Sequence, residues 1–296
     1  MEQFEILIAG AGAAGIGAAK AAYEAGCRRI LLVDRKKEPG GVLLQCTHRG
    51  FGPRLTGIEY VQKLLKGFPE EICVLTEASV LSVSDEKTAV ISGISCGIRK
   101  IRFQQFILAT GCMEIAMGAL PIAGTRPEGI FTAGYVQEMQ NLYQKLPESP
   151  VVILGSGDLG LIMAEQLSAA GVFIAALVEK RDQCGGMARN QHCLEKYQIP
   201  LICSSTITEV FGEEKLTGVR VCSSLTGAEQ EISCKTLLIA AGLRPDRTLL
   251  HGLKASDWVH VCGNCSRVHP MVEAVTLEGK KAGLAAWNNI KRVNYD

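Results

Sequence analysis

Three glycines near the start of the chain have a spacing suited to binding phosphate. Gly10, Gly12 and Gly15 follow the apolar run ILIA and open a small-residue pattern that is typical of a helix. In this G-x-G-x-x-G pattern the first glycine permits a tight turn, the second lets a pyrophosphate approach the backbone, and the third lets the helix pack closely. The helix N-terminus then offers N–H groups and a positive dipole end to the anion. The pattern predicts a dinucleotide site.

The same arrangement recurs 145 residues further along the chain. Gly155, Gly157 and Gly160 follow the run VVIL, and the glycines at 26, 40 and 41 coincide with those at 171, 185 and 186. Asp34 closes the run ILLVD and coincides with Glu179, which closes AALVE. An acid at the end of the second strand accepts hydrogen bonds from ribose hydroxyls. We therefore predict two dinucleotide sites, each on its own strand–helix–strand unit.

Further elements are needed to position these motifs. Each half closes on a buried strand that ends in a glycine, FQQFILATG at Gly111 and CKTLLIAAG at Gly242. Residues 74–103 alternate in short runs and predict an antiparallel meander, and residues 56–68 predict a helix. After Gly242 we predict a short strand near 258–262, a turn at Gly263 and Asn264, and a helix from about Pro270. These last residues are too few for a third domain and are expected to complete one of the first two.

Composition supports an α/β fold and excludes several classes of protein. The 296 residues are 47% hydrophobic but only 5% aromatic, which favours two three-layer Rossmann-like domains with buried parallel sheets. The net charge is +1 and no segment is a basic block, so nothing in the sequence indicates a surface that binds nucleic acid. No secretory signal is evident, and apolar runs such as 172–178 are too short to span a membrane. Twelve irregularly spaced cysteines indicate reduced thiols and a cytoplasmic protein.

Two cysteine patterns suggest redox or metal chemistry. Cys262 and Cys265 have the C-x-x-C spacing of a redox pair, but they fall on the predicted glycine turn. Cys184, His192 and Cys193 contain metal-ligand types at a spacing that matches no compact zinc or iron–sulfur pattern. Packing and loop roles are the favoured interpretations, and no metal site is predicted.

In this order the motifs resemble a known family. The first glycine motif, Asp34, ATG at 109–111, the second motif, AAGLRP at 240–245 and the terminal VCGN…EGKKAG are similar to two-domain flavoproteins of the thioredoxin reductase type, within the pyridine nucleotide-disulfide oxidoreductases. The resemblance implies that residues 1–113 and 243–296 form an FAD-binding domain. It also implies that residues 114–242 form an NAD(P)-binding domain inserted into it.

The resemblance carries specific residues into the two sites. The implied FAD contacts are Gly10, Gly12, Ala13, Ala14, Gly15, Asp34, Arg35, Gly41, Val42, Gln45, Val80, Ala109, Thr110, Gly111, Gly263, Asn264 and His269. The implied NAD contacts are Gly155, Ser156, Gly157, Asp158, Leu159, Gly160, Glu179, Lys180 and Gly242. Glu179 would repel a 2′-phosphate, which favours NAD(H), whereas Lys180 and Arg181 keep NADP(H) as an alternative. Asn264 stands where the family has aspartate, so its ribityl contact is expected to be a neutral hydrogen bond.

The chain departs from the family in its cysteines. One class of disulfide reductase has C-x-x-C in the nicotinamide domain, yet residues 112–154 contain only Cys112. The other class has C-x-x-x-x-C after the first double glycine, where this chain has Cys46 alone. Cys46 and His48 lie on the loop that runs along the flavin in the family. The alternatives for them are flavin tuning, peroxide reduction, a proton relay, or a buried cysteine with an ordinary histidine nearby.

The sequence therefore predicts an FAD-dependent oxidoreductase that exchanges hydride with NAD(H). Because both redox cysteine pairs are missing, electrons are expected to pass to or from a partner dehydrogenase subunit or small redox protein. The stretches at 40–52, 118–137 and 261–283 resemble a disulfide-less branch that includes flavoprotein subunits found with glycerol-3-phosphate dehydrogenase. Two alternatives are a stand-alone NADH oxidase or peroxide reductase using Cys46, and a redox sensor that binds nucleotides without turnover.

Overall fold

In the computed structural model, which describes residues 1–254 and 256–295, each glycine motif joins a buried strand to a helix. The helices are α1 (Ala13–Glu24), α2 (Gly57–Leu65), α3 (Ala133–Tyr143), α4 (Asp158–Ala169), α5 (Ala188–Lys196) and α6 (Val272–Tyr295). The strands of the first part are β1 (Gln3–Ala9), β2 (Ile30–Val33), β3 (Arg49–Phe51), β4 (Leu55–Thr56), β5 (Cys73–Leu75), β6 (Ala78–Ser84), β7 (Thr88–Gly93), β8 (Gly97–Leu108) and β9 (Cys112–Glu114). The remaining strands are β10 (Ala123–Gly124), β11 (Ile130–Thr132), β12 (Val151–Leu154), β13 (Ile174–Val178), β14 (Leu201–Ile202), β15 (Ser205–Phe211), β16 (Gly218–Ser223), β17 (Glu229–Ser233), β18 (Thr236–Ile239), β19 (Leu243–Pro245) and β20 (Val259–Val261).

The chain divides into two compact units. Unit 1 consists of Met1–Met113 with Arg244–Asp296, and unit 2 of Glu114–Leu243. The C-terminal segment therefore returns to the first unit rather than forming a third. Ala255 and Asp296, which fall within the predicted C-terminal part 243–296, lie outside the described residues.

Unit 1 is built on a seven-stranded mixed sheet. The order is β5-β2-β1-β8-β7-β6, and β20 also pairs with β8. The strands β5, β2, β1, β8 and β20 pair in parallel, whereas β8, β7 and β6 form the antiparallel meander predicted from 74–103. The long strand β8 thus belongs to both parts, which the alternation of short runs in the sequence does not reveal.

Strand alternation gives unit 1 two separate apolar layers. On one face Ile6 and Ile8 pack with Ala14, Ala18 and other residues of α1 and α6. On the other face Leu7 packs in a second cluster with buried residues of the meander. Because successive side chains of a strand point to opposite faces, one apolar run supplies both layers.

Helices α1 and α6 cross at very short range in unit 1. A Cβ at Gly279 would lie 2.0 Å from the carbonyl oxygen of Ala14, and one at Gly283 would lie 2.1 Å from that of Ala18. Trp287 extends the same contact by donating its indole N–H to the carbonyl of Ala25 at 2.8 Å. The absence of side chains at two glycines four residues apart therefore lets α6 lie directly on α1.

Unit 2 repeats the layered plan. Its five-stranded sheet is fully parallel, in the order β11-β18-β12-β13-β14. One face packs on residues of α3, α4 and α5, and the other on the sheet β10-β15-β16-β17. This confirms the predicted α/β class with Rossmann-like sheets and small antiparallel meanders. In the part of the chain that the structure describes, no helix has both the length and the apolar character needed to cross a bilayer.

Two helix boundaries refine the predictions. Helix α2 begins after Thr56, whose hydroxyl accepts from the N–H of Glu59 while the Glu59 carboxylate accepts from the N–H of Thr56. This reciprocal capping fixes the start within the predicted range 56–68. Helix α6 begins at Val272, two residues after Pro270, which the sequence places near its first turn. The predicted turn at Gly263 is a short 3-10 helix, Gly263–Cys265.

Candidate dinucleotide sites

The first glycine motif forms a tight loop between β1 and α1. Gly10 has φ +104°, and a Cβ there would lie 2.4 Å from the carbonyl oxygen of Ala109. At Gly15 a Cβ would lie 1.8 Å from the carbonyl oxygen of Gly10. Both positions thus require glycine, the first for its positive φ as well as for its packing.

The second motif has the same geometry in unit 2. Gly155 has φ +106°, and a Cβ there would lie 2.4 Å from the carbonyl oxygen of Ala240. A Cβ at Gly160 would lie 2.2 Å from the carbonyl oxygen of Gly155. The duplication in the sequence is therefore a duplication of backbone structure.

The middle glycine of each motif faces open space. No atom would lie within 4 Å of a Cβ at Gly12 or at Gly157, and both residues have an ordinary negative φ. Each is the N-cap of its helix, α1 or α4, and no side chain caps either one. The first amides of a helix have no partner within the helix, and beside a middle glycine that faces open space they fit a diphosphate. On this ground the residues present fit the two dinucleotides that the sequence predicts.

The two acids lie one residue beyond β2 and β13, where the repeat predicts them. Asp34 is buried and accepts from the N–H of Ala11 at 2.6 Å and from the N–H of Lys36 at 2.8 Å. Glu179 is also buried and accepts from the N–H and hydroxyl of Ser156, at 2.9 and 2.6 Å. Each carboxylate therefore ties the end of its second strand to its glycine loop.

Glu179 has a strongly shifted pKa. Burial opposes ionisation, but hydrogen bonds from Arg181 and Ser156 outweigh it and lower the pKa from its ordinary value of 4.5 to about 2. Because the pKa is lower in the folded chain, the carboxylate stabilises the fold above pH 4.5, and this stabilisation is lost as the pH falls from about 4.5 to about 2.

We expect the free energy of unfolding to decrease across that pH range, and to decrease less in Glu179→Gln, which cannot ionise there. Urea denaturation of both proteins at a series of pH values measures the difference. Parallel pH profiles for wild type and variant would contradict the assignment.

The end of the chain closes on the first glycine loop within unit 1. Gly263 has φ +70°, and a Cβ there would lie 2.7 Å from that of Ala14. The Thr110 hydroxyl donates to the carbonyl of Asp246 at 2.9 Å, and Gly111 adopts φ +83°. The predicted contacts around ATG and Gly263 therefore lie together with the first motif.

The Asn264 side chain takes part in a turn of its own segment. Its side-chain oxygen accepts from the N–H of His269 at 3.0 Å, and its amide nitrogen lies 3.8 Å from the Cys112 sulfur. His269 is almost fully buried, with its Nε2 3.0 Å from Glu278, which also accepts from the N–H of Gly263 at 2.8 Å. The Asn264 oxygen thus closes the 264–269 turn, whereas the amide group has two N–H donors, so the neutral hydrogen bond to ribityl stays a prediction.

The C-x-x-C pair is built into the core. Cys262 and Cys265 are 1% and 0% exposed, and both thiols donate to the carbonyl of Leu108. Burial raises the pKa of both thiols. Neighbouring hydrogen bonds lower the pKa of Cys265, but burial has the larger effect. Buried, protonated thiols that serve as backbone donors fit the packing interpretation.

Cys46 lies at the end of a short 3-10 helix, Gly41–Gln45. Its thiol donates to the carbonyl of Val42 at 3.3 Å, and burial raises its pKa to about 12. His48 packs against Phe51, with ring centroids 5.1 Å apart. A thiol that stays protonated at neutral pH is a poor nucleophile, which disfavours peroxide reduction by Cys46.

Because the Cys46 thiol is buried and protonated, we expect Cys46→Ser to retain the rate of NADH oxidation within about a factor of two. Steady-state assays with oxygen, peroxide and a dye acceptor test this. Loss of peroxide-dependent turnover alone would return Cys46 to the catalytic role.

The remaining predicted contacts are dispersed around the two loops. Gly41 has φ +59° and lies against Gly12, Val42 is 61% exposed, and Gln45 is buried. Val80 lies on β6 and packs in the unit 1 core, whereas Arg35 and Lys180 are exposed.

Asp158 is the first residue of α4, the position that Ala13 has in α1, and its carboxylate accepts from the N–H of Met187. Leu159 packs in the unit 2 core, and Gly242 has φ +124°.

The metal alternative is not supported. Cys193 is buried and donates to the carbonyl of Leu161, whereas His192 Nε2 lies 3.1 Å from Glu165. Cys184 lies beside the carbonyl of Ser156 instead. Within residues 1–254 and 256–295, no group of three or more His, Cys, Asp or Glu side chains is arranged to hold a metal ion.

Sequence reasoning missed two features of this region. The first is the close crossing of α1 and α6 at Gly279 and Gly283. The two glycines four residues apart in EGKKAG could have indicated it, because they lie on the same face of a helix. The second is the ion pair of Arg181 with Glu179, with Nε 3.0 Å from the carboxylate. The sequence suggests Arg181 only for contact with a 2′-phosphate.

Comparison with known proteins agrees with this architecture. The family model for "Pyridine nucleotide-disulphide oxidoreductase" matches residues 4–261. The fold is that of T. acidophilum thioredoxin reductase, with a TM-score of 0.78, 21% identity, and 98% and 99% of the two chains covered.

Two curated relatives are named as parts of oxidases. The chain is 28% identical over 277 residues to the A component of opine oxidase from Rhizobium meliloti, which covers 84% of this chain and 52% of the relative. It is 26% identical over 255 residues to the alpha component of sarcosine oxidase from Rhizobium meliloti (strain 1021), covering 81% of this chain and 24% of that one. The chain therefore spans about half or less of the length of these relatives.

Proposed function

Because the chain belongs to the pyridine nucleotide-disulphide oxidoreductase family, we propose that it is an FAD-dependent oxidoreductase that exchanges hydride with NAD(H) and passes electrons to or from a partner subunit. The observation that carries this proposal is the pair of equivalent glycine loops, each open at its middle glycine. Unit 1 is assigned to FAD and unit 2 to NAD(H), with the contacts predicted from the sequence.

The residues of unit 1 provide binding and orientation. The amides at the start of α1 would hold the diphosphate, and Asp34 would accept from a ribose hydroxyl. Bound FAD supplies two-electron hydride chemistry and one-electron transfer. No side chain needs to act as an acid or base in the exchange of hydride itself.

The buried thiols support a partner protein as the electron acceptor. Cys46, Cys262 and Cys265 are all buried, and burial raises the pKa of each, so none is poised for disulfide exchange. Within residues 1–254 and 256–295, no two cysteines are joined in a disulfide. The two relatives carry the names of components of larger oxidases. We propose that the partner is a dehydrogenase subunit, with glycerol-3-phosphate dehydrogenase the candidate that the sequence motifs suggest.

An anaerobic titration tests the first half of this function. We expect the purified protein to contain flavin, to be bleached by about one equivalent of NADH, and to reduce a dye acceptor in steady state. Flavin that NADH fails to bleach would instead support a nucleotide-binding sensor.

Co-purification from the native source tests the second half. We expect a dehydrogenase or redox-protein subunit to elute with the chain and to accept its electrons. Efficient reduction of thioredoxin or of a low-molecular-weight disulfide by the isolated chain would contradict the proposed partner.

A further inference from the structure

The guanidinium of Arg181 lies on the carboxylate that is expected to receive the ribose. Its Nε donates to Glu179 Oε1 at 3.0 Å and its Nη2 lies 3.3 Å from Oε2, so the two groups meet side by side. The backbone N–H of Arg181 also donates to Oε1 at 3.0 Å. The Arg181 side chain is 58% exposed, whereas that of Glu179 is 6% exposed. Of the two side chains, the arginine is the one that can leave without disturbing the core.

The backbone beneath the guanidinium is shaped to accept it. A Cβ at Gly185 would lie 1.4 Å from Arg181 Nη2, and its three nearest atoms all belong to that guanidinium. The N–H of Gly185 donates to the hydroxyl of Ser156, which in turn donates to Glu179. We call this group of Arg181, Glu179, Ser156 and Gly185 the Arg181 latch.

The latch uses the whole accepting capacity of Glu179. A carboxylate has about four lone-pair sites, and this one already receives five donors, two from Ser156 and three from Arg181. A ribose hydroxyl therefore needs one of these donors to withdraw. The Ser156 donors are buried and the backbone donor is fixed by the strand end, which leaves the guanidinium.

Unit 1 shares the backbone part of this arrangement. The shift of 145 residues places Lys36 at the position of Arg181, and the Lys36 N–H donates to Asp34 at 2.8 Å just as the Arg181 N–H donates to Glu179. The side-by-side contact needs a planar guanidinium, which lysine lacks. The latch is therefore specific to unit 2.

We propose that Arg181 competes with the adenosine ribose of the dinucleotide for Glu179 and thereby lowers the affinity of unit 2 for NAD(H). The inference rests on the proposed function of unit 2. When only a fraction of molecules is competent, the apparent Kd is raised by the inverse of that fraction. The Arg181 side of this pair is exposed, so we expect the contact to stabilise the closed state by only about 0.2–1 kcal/mol, and opening it should lower the Kd about two- to sixfold.

Two substitutions remove the guanidinium of Arg181 from Glu179 in different ways. Arg181→Ala removes the guanidinium, and Gly185→Ala displaces it with a methyl group that meets only the end of a flexible side chain. Lys215→Ala is the matched control, because it removes another exposed, ion-paired cation of unit 2, the partner of Glu148. Nicotinamide mononucleotide is the control ligand, since it lacks the adenosine ribose.

Isothermal titration of the full-length, oxidised protein with NAD⁺ measures the Kd without turnover. We expect both latch variants to bind NAD⁺ about two- to sixfold more tightly than wild type, and the double variant to gain no more than Arg181→Ala alone. Lys215→Ala and all titrations with the mononucleotide should match wild type.

The other outcomes overturn the proposal in distinguishable ways. Weaker or unchanged binding in Arg181→Ala would show that the guanidinium does not compete with ribose. Tighter binding in Arg181→Ala but not in Gly185→Ala would show that moving the guanidinium away from Glu179 is not what tightens binding. If NAD⁺ bound to neither wild type nor any variant, the proposed function of unit 2 would fail, and the latch with it.

Discussion

Gly12→Val is expected to give a folded protein that does not retain flavin. The residue has φ −77° and ψ −170°, which valine adopts readily, and no atom lies within 4 Å of the added Cβ. The side chain therefore occupies the space left for the diphosphate without disturbing the fold. We expect FAD binding to weaken at least about a hundredfold, about 2.8 kcal/mol at 1.4 kcal/mol per tenfold change. Flavin absorbance after purification, with thermal unfolding as the folding check, measures this.

Gly157→Val is the equivalent substitution in unit 2, and it is expected to affect binding of NADH and not of flavin. Gly157 has φ −65° and ψ 174° and is equally open, so the variant should fold and keep its flavin. We expect NADH to lose its ability to bleach that flavin, through a similar loss of about a hundredfold in affinity. Flavin content therefore tests the site in unit 1, and bleaching of the flavin by NADH tests the site in unit 2.

Gly118→Val controls for valine at an open glycine outside both motifs. It too has an ordinary φ and no atom within 4 Å of its Cβ position. Flavin content and bleaching by NADH should match wild type. Retention of full flavin by Gly12→Val, or loss of flavin rather than of NADH response in Gly157→Val, would refute the assignment of the two units.

Gly283→Val is expected to destabilise unit 1 more than any surface substitution. The new Cβ would lie 2.1 Å from the carbonyl oxygen of Ala18, and neither backbone can yield without separating α6 from α1. In a free helix, replacing glycine would help by up to about 1 kcal/mol, but forced overpacking costs about 3 kcal/mol here, so the clash decides the sign. The net loss of about 2 kcal/mol lowers the Tm by roughly 4–8 °C, at about 2–4 °C per kcal/mol for a unit of this size.

Leu284→Val is the control on the same helix. Leu284 is 44% exposed, so the variant carries the same β-branched side chain without the clash. Its Tm should remain within about 2 °C of wild type, as for surface substitutions of under 0.5 kcal/mol. Equal Tm values for the two variants, measured by circular dichroism, would show that α6 does not depend on close contact with α1.

The local features of the two sites were accessible from the sequence. The positive φ of Gly10 and Gly155, and the placement of Asp34 and Glu179 at strand ends, follow from short-range spacing. A repeated motif imposes the same steric limits wherever it occurs, because each loop packs mainly on its own strand and helix. The meander was likewise indicated by patterns along the chain, whereas the return of the chain end to unit 1 was implied by the family resemblance.

Identical residues at equivalent positions of the repeat do not always have the same structure. The pairs Gly40–Gly41 and Gly185–Gly186 coincide under the shift, yet Gly40 and Gly41 have φ +140° and +59° and turn the chain toward Gly12. Gly185 instead lies beneath the guanidinium of Arg181. The difference depends on which side chain comes to rest over each glycine, and that contact is not a property of the spacing.

The sequence by itself determined the duplication, the class of fold and the positions of both glycine loops, since these depend on backbone conformations within a few residues. Only the tertiary structure decided which thiols are buried, that Asn264 is bonded to its own turn, that α6 lies on α1, and that Arg181 covers Glu179. Burial arises when distant segments meet. Arg181 and Glu179 are only two residues apart, but Ser156 and Gly185, which surround their contact, reach it from other segments of the folded chain.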